Sequence, residues 1–204
     1  MRVVIQRVKR ASVHVDNQLI SSINEGLCVL LGINREDEKK SVEPLIKKLM
    51  TMKLFAEKET GKEWKESLTN NNRENGLELM LVSQFTLDAY FKGAKPDFHK
   101  AMGGPSAKEI FDYALETAGK MHPKGASHVK TGQFGAMMEV SICNDGPVTI
   151  LYEYPDPQKK DNQAKGNAPA QKQKDKKQKG KKNENEPKNP ELSDKMEEIK
   201  LDEK

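Results

Sequence analysis

Nearly all the large apolar residues of this 204-residue chain lie before position 155, and that restricts where a fold can form. Residues 155–204 hold no aromatic residue, and Leu192, Met196, Ile199 and Leu201 are their only large aliphatics. So little apolar area cannot offset the entropy of ordering the chain, so the segment is expected to be a disordered tail. Residues 1–154 are expected to form one domain around one core. Charge divides at the same place. The first 154 residues carry 21 Lys+Arg against 20 Asp+Glu, and the tail carries 14 against 11. Residues 159–182 hold ten lysines against Asp161 and Asp175, whereas 183–204 hold four lysines against eight acids. A basic block followed by an acidic one reads as a solvated extension, or as one making weak, salt-sensitive contact with nucleic-acid phosphates. Without aromatics to stack on bases, such a contact adds affinity and little sequence choice.

No apolar run approaches the roughly 20 residues of a membrane span. The chain starts on a strand-like alternation rather than on charge followed by an apolar stretch, so no secretion signal is expected. Cys28 and Cys143 sit inside apolar runs and read as buried free thiols. The chain therefore reads as cytosolic, with a nuclear fraction allowed.

Periodicity locates the elements. Val3, Ile5 and Arg7 share one face of a period-two segment over residues 2–8, and Ala11 to Val15 alternates again before an Asp16-Asn17 turn. Gly26 to Ile33 is a near-continuous apolar run, as in a strand buried on both faces. Val42, Leu45, Ile46, Leu49 and Met50 form one helical face, with Ser41 as N-cap and Pro44 in the first turn. Residues 57–76 are polar and read as a long connection around Trp64. Leu77 to Phe85 reads as a central strand. A second helix has Ser106 and Glu109 as a capping box, a stripe from Ala107 to Ala118, and Gly119 as its C-terminal cap. Val129 to Phe134 is a short strand or loop. Met138 to Ile142 and Val148 to Tyr154 alternate on either side of Gly146-Pro147, which reads as a tight turn. About six or seven strands and two helices make an α+β fold, a curved antiparallel-rich sheet or barrel with two packed helices.

The usual hydrolytic motifs do not occur. There is no G-x-S-x-G elbow, no zinc-spaced cluster and no phosphate-binding G-x-x-x-x-G-K loop. His14 reads as a surface or half-buried strand residue, and His122 and His128 as solvated loop residues. His99 is the best histidine candidate for chemistry. Nothing in the sequence requires a metal or an organic cofactor.

Two short segments carry more information. Ser83-Gln84-Phe85-Thr86-Leu87 ends an apolar run with an amide, an aromatic and two hydroxyls. Asn144-Asp145-Gly146-Pro147-Val148-Thr149 lies about sixty residues later. With Met1 to Val8, Lys92 to His99 and Gly132 to Ala136, in this order and spacing, they resemble the D-aminoacyl-tRNA deacylases over roughly residues 1–154. The resemblance implies the same α+β fold, a homodimer, aminoacyl-tRNA as substrate, and hydrolysis of the D-aminoacyl ester. It places catalysis at Thr86 with Gln84 and Phe85, and substrate binding at Ser83, Gly146, Pro147, Phe134 and Met138. Phe134 and Met138 would line a pocket for the terminal adenosine; core packing explains them equally well. Gly146-Pro147, as a cis peptide held by Arg7 and supplied by the partner subunit, would reject L-substrates.

The residues support part of this directly. An aminoacyl ester is activated, so fixed backbone donors and one aligned water can supply much of the rate. Thr86 is the side chain there that can act as nucleophile or water holder; the alternative is that Thr86 and Ser83 only satisfy backbone groups. A rigid wall against the α-carbon rejects L-residues by clash, and by the same logic it passes glycine, as on glycyl-tRNA mischarged on alanine tRNA. The competing reading is a nucleic-acid-binding or regulatory protein of the same fold that uses the basic tail.

Overall fold

The structure is a computed structural model that describes residues 1–155. The expectations for the tail beyond them lie outside the described residues. Strand β1 (Arg2–Val15) organises the sheet. Asp16 and Asn17, both with positive φ, reverse the chain into β2 (Gln18–Ile23), and β3 (Gly26–Gly32) continues along the same edge of β1. Both run antiparallel to it, β2 beside Ala11–Val15 and β3 beside Arg2–Val8. β4 (Glu78–Ser83) lies parallel to β3, and β7 (Val129–Thr131) parallel to β4. Ser21 Oγ donates to the Thr131 carbonyl at 2.6 Å, bringing β7 back to β2 and nearly closing a barrel. β8 (Glu139–Glu153) covers the other edge of β1, from Arg2 opposite Glu153 to His14 opposite Glu139. A small ribbon, β5 (Tyr90–Lys92) with β6 (Lys95–Asp97), stands apart. The fold is α+β, with antiparallel pairs around β1 and a parallel section at β3-β4-β7.

Helices α1 (Val42–Thr51) and α2 (Gly104–Met121) pack on this barrel. Leu45, Ile46 and Leu49 meet Ile110, Phe111 and Ala114 over Val3, Ile5, Leu27, Val29, Leu79 and Leu81. The opposite parity of β3 and β4, with Cys28, Met80 and Val82, joins Val13, which lies beyond the register shifts of β1, in a second cluster. Hence β3 and β4 are buried on both faces, as their apolar runs require. Each fully buried leucine or isoleucine contributes about 1.5–3 kcal/mol. Burial pushes the Cys28 thiol up to about 12, which keeps it an unreactive core residue; Cys143 is half-buried rather than buried.

Several local expectations are corrected. β1 is one strand, not two. Ser41 precedes α1 but has helical backbone and makes no side-chain cap bond, because a 3-10 turn at Lys39–Ser41 already leads into the helix. The Ser106/Glu109 capping box does not form. α2 starts earlier, at Gly104, with Pro105 in its first positions, where proline's missing donor costs nothing. Gly119 does not end α2, which runs on to Met121. A Cβ at Gly119 would lie 3.0 Å from that of Ala126, so glycine there permits close approach of the following turn. His122 is buried rather than solvated: its Nε2 donates to the Leu77 carbonyl at 2.9 Å, and Nδ1 accepts from the Lys124 amide at 3.2 Å. Burial lowers its pKa and favours this neutral form.

Gly146-Pro147 is not a turn between two strands. Both flanks pair with β1 in one direction, Asn144 opposite Val8 and Thr149 opposite Gln6. Residues 145–148 therefore bulge out opposite Arg7 alone. The Gly146–Pro147 peptide is cis.

Candidate active site

The apolar residues of β4 deliver Ser83 to one end of the barrel. There the Gln84 amide donates to the Leu31 carbonyl at 2.8 Å, which keeps the strand end beside β3. The chain then coils into a 3-10 turn, Phe85–Asp88, so the strand stops at Ser83 and not at Phe85. The far end of the turn is tied down. Asp88 is buried and accepts from Asn34 Nδ2 at 3.2 Å, and Arg2 Nη1 donates to the Leu87 carbonyl at 3.1 Å. The near end is open. Phe85 and Thr86 are exposed, and their amides, first in the turn, have no acceptor within it. Gln84 Nε2 donates to Thr86 Oγ1.

This turn forms one wall of a cavity of about 580 Å³. Ser83, Gln84, Phe85, Thr86, Phe134 and Met138 all line it. Phe134 also packs on Phe111, with centroids 5.5 Å apart, so lining and core packing coexist in one side chain. A Cβ on Gly132 would collide with Met138 Sδ, so that glycine makes room for the methionine. The other wall was not assigned to the site by sequence reasoning. It comes from Phe98, Ala101, Met102, Gly103, Gly104 and Ala107, at the start of α2. Neither Gly103 nor Gly104 has an atom within 4 Å of the place of a Cβ, which leaves backbone open to the cavity. The run of small residues beside Phe98 was the available signal. None of the lining residues is ionisable. His99 is not among them; it lies in the loop after β6, with Nδ1 2.7 Å from Asp97 Oδ1.

Gly146, Pro147 and Arg7 form a second group, which does not line the cavity in this chain. Arg7 is buried in the bend of the bulge. Its Nη1 donates to the Leu54 carbonyl at 2.8 Å and to Glu63 Oε2 at 3.1 Å, and its Nε forms an ion pair with Asp145 Oδ2 at 2.9 Å. The guanidinium lies 5.8 Å from the Trp64 ring centroid. Asn144 Nδ2 donates to Thr149 Oγ1 at 2.9 Å and closes the neck of the bulge. Glu63, Trp64 and Asp145 are thus supporting residues that sequence reasoning missed.

The sequence profile of the D-Tyr-tRNA(Tyr) deacylase family matches residues 4–153. The chain belongs to that family. Its relatives include the D-aminoacyl-tRNA deacylase of Drosophila melanogaster, 47% identical over 80% of this chain and 98% of that protein. Human D-aminoacyl-tRNA deacylase 1 is 45% identical over 77% of this chain and 72% of its own length. Among solved structures, the c-Myc DNA unwinding element binding protein superposes with a TM-score of 0.69 and 44% identity, covering 76% of this chain and 99% of its own. A probable eukaryotic D-amino acid tRNA deacylase, at 18% identity and a TM-score of 0.55, shares the fold. Family membership makes the chain a hydrolase of the D-aminoacyl-tRNA deacylase type.

Proposed function

We propose that the protein, as a cytosolic homodimer, hydrolyses the ester joining a D-amino acid to the terminal adenosine of tRNA, and also cleaves glycyl-tRNA. The carrying observation is a cavity with open backbone donors at the end of β4 and no ionisable side chain in its lining. Such a site has no acid or base of its own and acts by holding the ester. The amides of Phe85 and Thr86 donate to the carbonyl oxygen as charge develops on it, while Ser83 and Gln84 position the aminoacyl group. Phe134 and Met138 receive the adenine. Water adds to the carbonyl carbon, the ester C–O bond breaks, and a proton passes to the ribose oxygen that leaves. The neighbouring ribose hydroxyl relays the proton, since the lining holds no acid or base to do so.

Thr86 has a smaller part in this scheme. Its oxygen accepts from Gln84 and has no base beside it, so it is poorly placed as a nucleophile. Thr86→Ala should change kcat by less than about threefold, whereas loss of a transition-state donor costs about a hundredfold or more. Single-turnover deacylation of D-tyrosyl-tRNA by the variant checks this, and a hundredfold loss would return the catalytic role to the hydroxyl.

Gly146-Pro147 of the partner subunit closes the cavity as a backbone wall against the α-carbon, with Arg7 holding it. Hydrogen fits against that wall and an L side chain does not. The folded domain ends at about residue 154, and the basic tail adds weak contact with RNA. The deciding experiment is deacylation of matched D-tyrosyl-, L-tyrosyl- and glycyl-tRNA by the full chain, with sedimentation in the same buffer. The D- and glycyl-esters should be cleaved, the L-ester spared, and the mass found at about twice 23.0 kDa. Equal D and L rates, or full activity from a monomer, would refute the chirality scheme.

The name of the c-Myc DNA unwinding element binding protein favours a second reading, nucleic-acid binding without turnover. Retained RNA or DNA affinity with no hydrolysis of any ester would support it.

A further inference from the structure

The β5-β6 ribbon is a polar-cationic arm beside the cavity, and its composition is unexplained by packing. Phe91 is 71% exposed. Lys92, Lys95 and Lys100 are exposed nearby, with Lys92 and Lys95 opposed on the face of the ribbon away from Phe91 and Lys100 Nζ 6.0 Å from the Tyr90 ring centroid, and Asp97 is the ribbon's single carboxylate. Lys95 and Lys100 make no ion pair among the described residues. A three-residue ribbon has little stability of its own, yet this one is braced at its base. Lys92 Nζ lies 2.9 Å from Asp97 Oδ2, and the His99 amide donates to Asp97 Oδ1 at 2.9 Å. Tyr90 hydroxyl bonds His99 Nδ1, with the two rings edge to face. Gly93, at φ +63, makes the turn, and nothing lies within 4 Å of the place of its Cβ. Phe98, directly after β6, packs edge to face on Phe85 with centroids 5.1 Å apart. Phe85 and Phe98 both line the cavity, so the arm is fixed to the cavity wall.

We infer that this ribbon grips the unpaired 3′ strand of the tRNA acceptor end, with Phe91 stacking on a base and Lys95 and Lys100 meeting phosphates. The occupant follows from charge and position. A held ester is the last residue of a polyanion, so the strand leading to it must leave the cavity past its rim. A ribbon with an exposed aromatic on one face and lysines on the other, fixed to that rim, suits a single strand that crosses it: stacking needs only a base face, and lysines need only phosphates. A protein partner would more commonly be met by apolar and aromatic residues clustered around a desolvated centre, with lysine sparse. The inference rests on the deacylase reading for the identity of the strand.

The test uses the full chain and two variants, Phe91→Ala and Lys95→Gln/Lys100→Gln. Lys92 is left intact because it braces Asp97. Each is assayed on D-tyrosyl-tRNA and on the D-tyrosyl ester of adenosine, which has the reacting end and no phosphate. Phe91→Ala should raise KM for the tRNA about tenfold, within the range measured for base stacking, and leave kcat and the adenosine ester unchanged. The double lysine variant should lower the slope of log affinity against log salt by about 1.4, the single-strand value for two phosphate contacts. Affinity for uncharged tRNA, followed by fluorescence anisotropy, should fall in parallel. Equal losses on both esters would place the effect in the cavity and overturn the inference, as would unchanged tRNA affinity, the result expected if the ribbon docks a protein. If the wild-type chain cleaves neither ester, the deacylase reading fails, and tRNA affinity alone then decides whether the ribbon binds RNA.

Discussion

Arg7→Ala should destabilise the protein by about 1–3 kcal/mol, the cost of leaving the buried Leu54 carbonyl unpaired, since Glu63 and Asp145 are exposed enough to be solvated. Arg7 is 8% exposed and joins three parts of the chain: the Leu54 carbonyl, Glu63, and Asp145 in the bulge. Alanine leaves Asp145 without this cation, a buried carbonyl unpaired, and a void under Trp64. Urea unfolding followed by fluorescence of Trp64, the chain's single tryptophan, measures both the loss and the loosening of that loop. Arg7→Lys keeps the charge and loses the planar fork that reaches several acceptors, so it should recover only part of the stability. A loss below about 1 kcal/mol for Arg7→Ala would show that the bulge is held by its flanking pairs with β1 instead.

Gly146→Ala should lower kcat/KM on D-aminoacyl-tRNA by about a hundredfold while the domain remains folded, because small displacements of a positioning group cost that much. Gly146 has φ +109, where an L side chain is strained, and its Cβ would lie 3.0 Å from Val148 Cγ2 and 3.1 Å from Arg7 Nη2. The bulge must shift to accept the methyl, and the proposed wall against L-residues shifts with it. Rates on D- and L-tyrosyl-tRNA, with circular dichroism to confirm folding, provide the check. Activity and D/L discrimination both within threefold of wild type would separate Gly146 from the reaction.

The sequence showed much of the framework because much of it is local. Alternation in residues 2–8, the apolar run from Gly26 and the stripe from Val42 to Met50 are each set by the burial of their own faces. The errors arose where a distant partner decides the outcome. Gly146-Pro147 has turn chemistry, and only the pairing of both flanks with one strand makes it a bulge. Gly119 has the look of a helix stop, yet it is a contact with Ala126. The Ser106/Glu109 pattern was overridden by Gly104-Pro105 just before it. Ser83 to Thr86, Phe134 and Met138, which the motifs single out, line one cavity. The wall of Phe98, Ala101, Met102, Gly103, Gly104 and Ala107 carries no reactive side chain, so chemical reasoning had no purchase on it. The partners of Arg7 lie in the long connection around Trp64, where no periodicity announces a contact.

The pairing of β1 with β8 also bears on how the chain is made. β1 obtains its partners on one edge within the next seventeen residues, but the other edge waits for a strand that begins at Glu139. At ribosomal speeds of about 5–20 residues per second, that edge stays uncovered on the order of ten seconds after β1 is synthesised. An uncovered edge is a template for pairing with another nascent chain. The exposed lysine and arginine at positions 9 and 10, at the register break of β1, put charge on the strand during that interval. A ribosome stalled before codon 139 would carry an N-terminal strand with no native mate for half its hydrogen bonds, and such intermediates are natural clients for a chaperone.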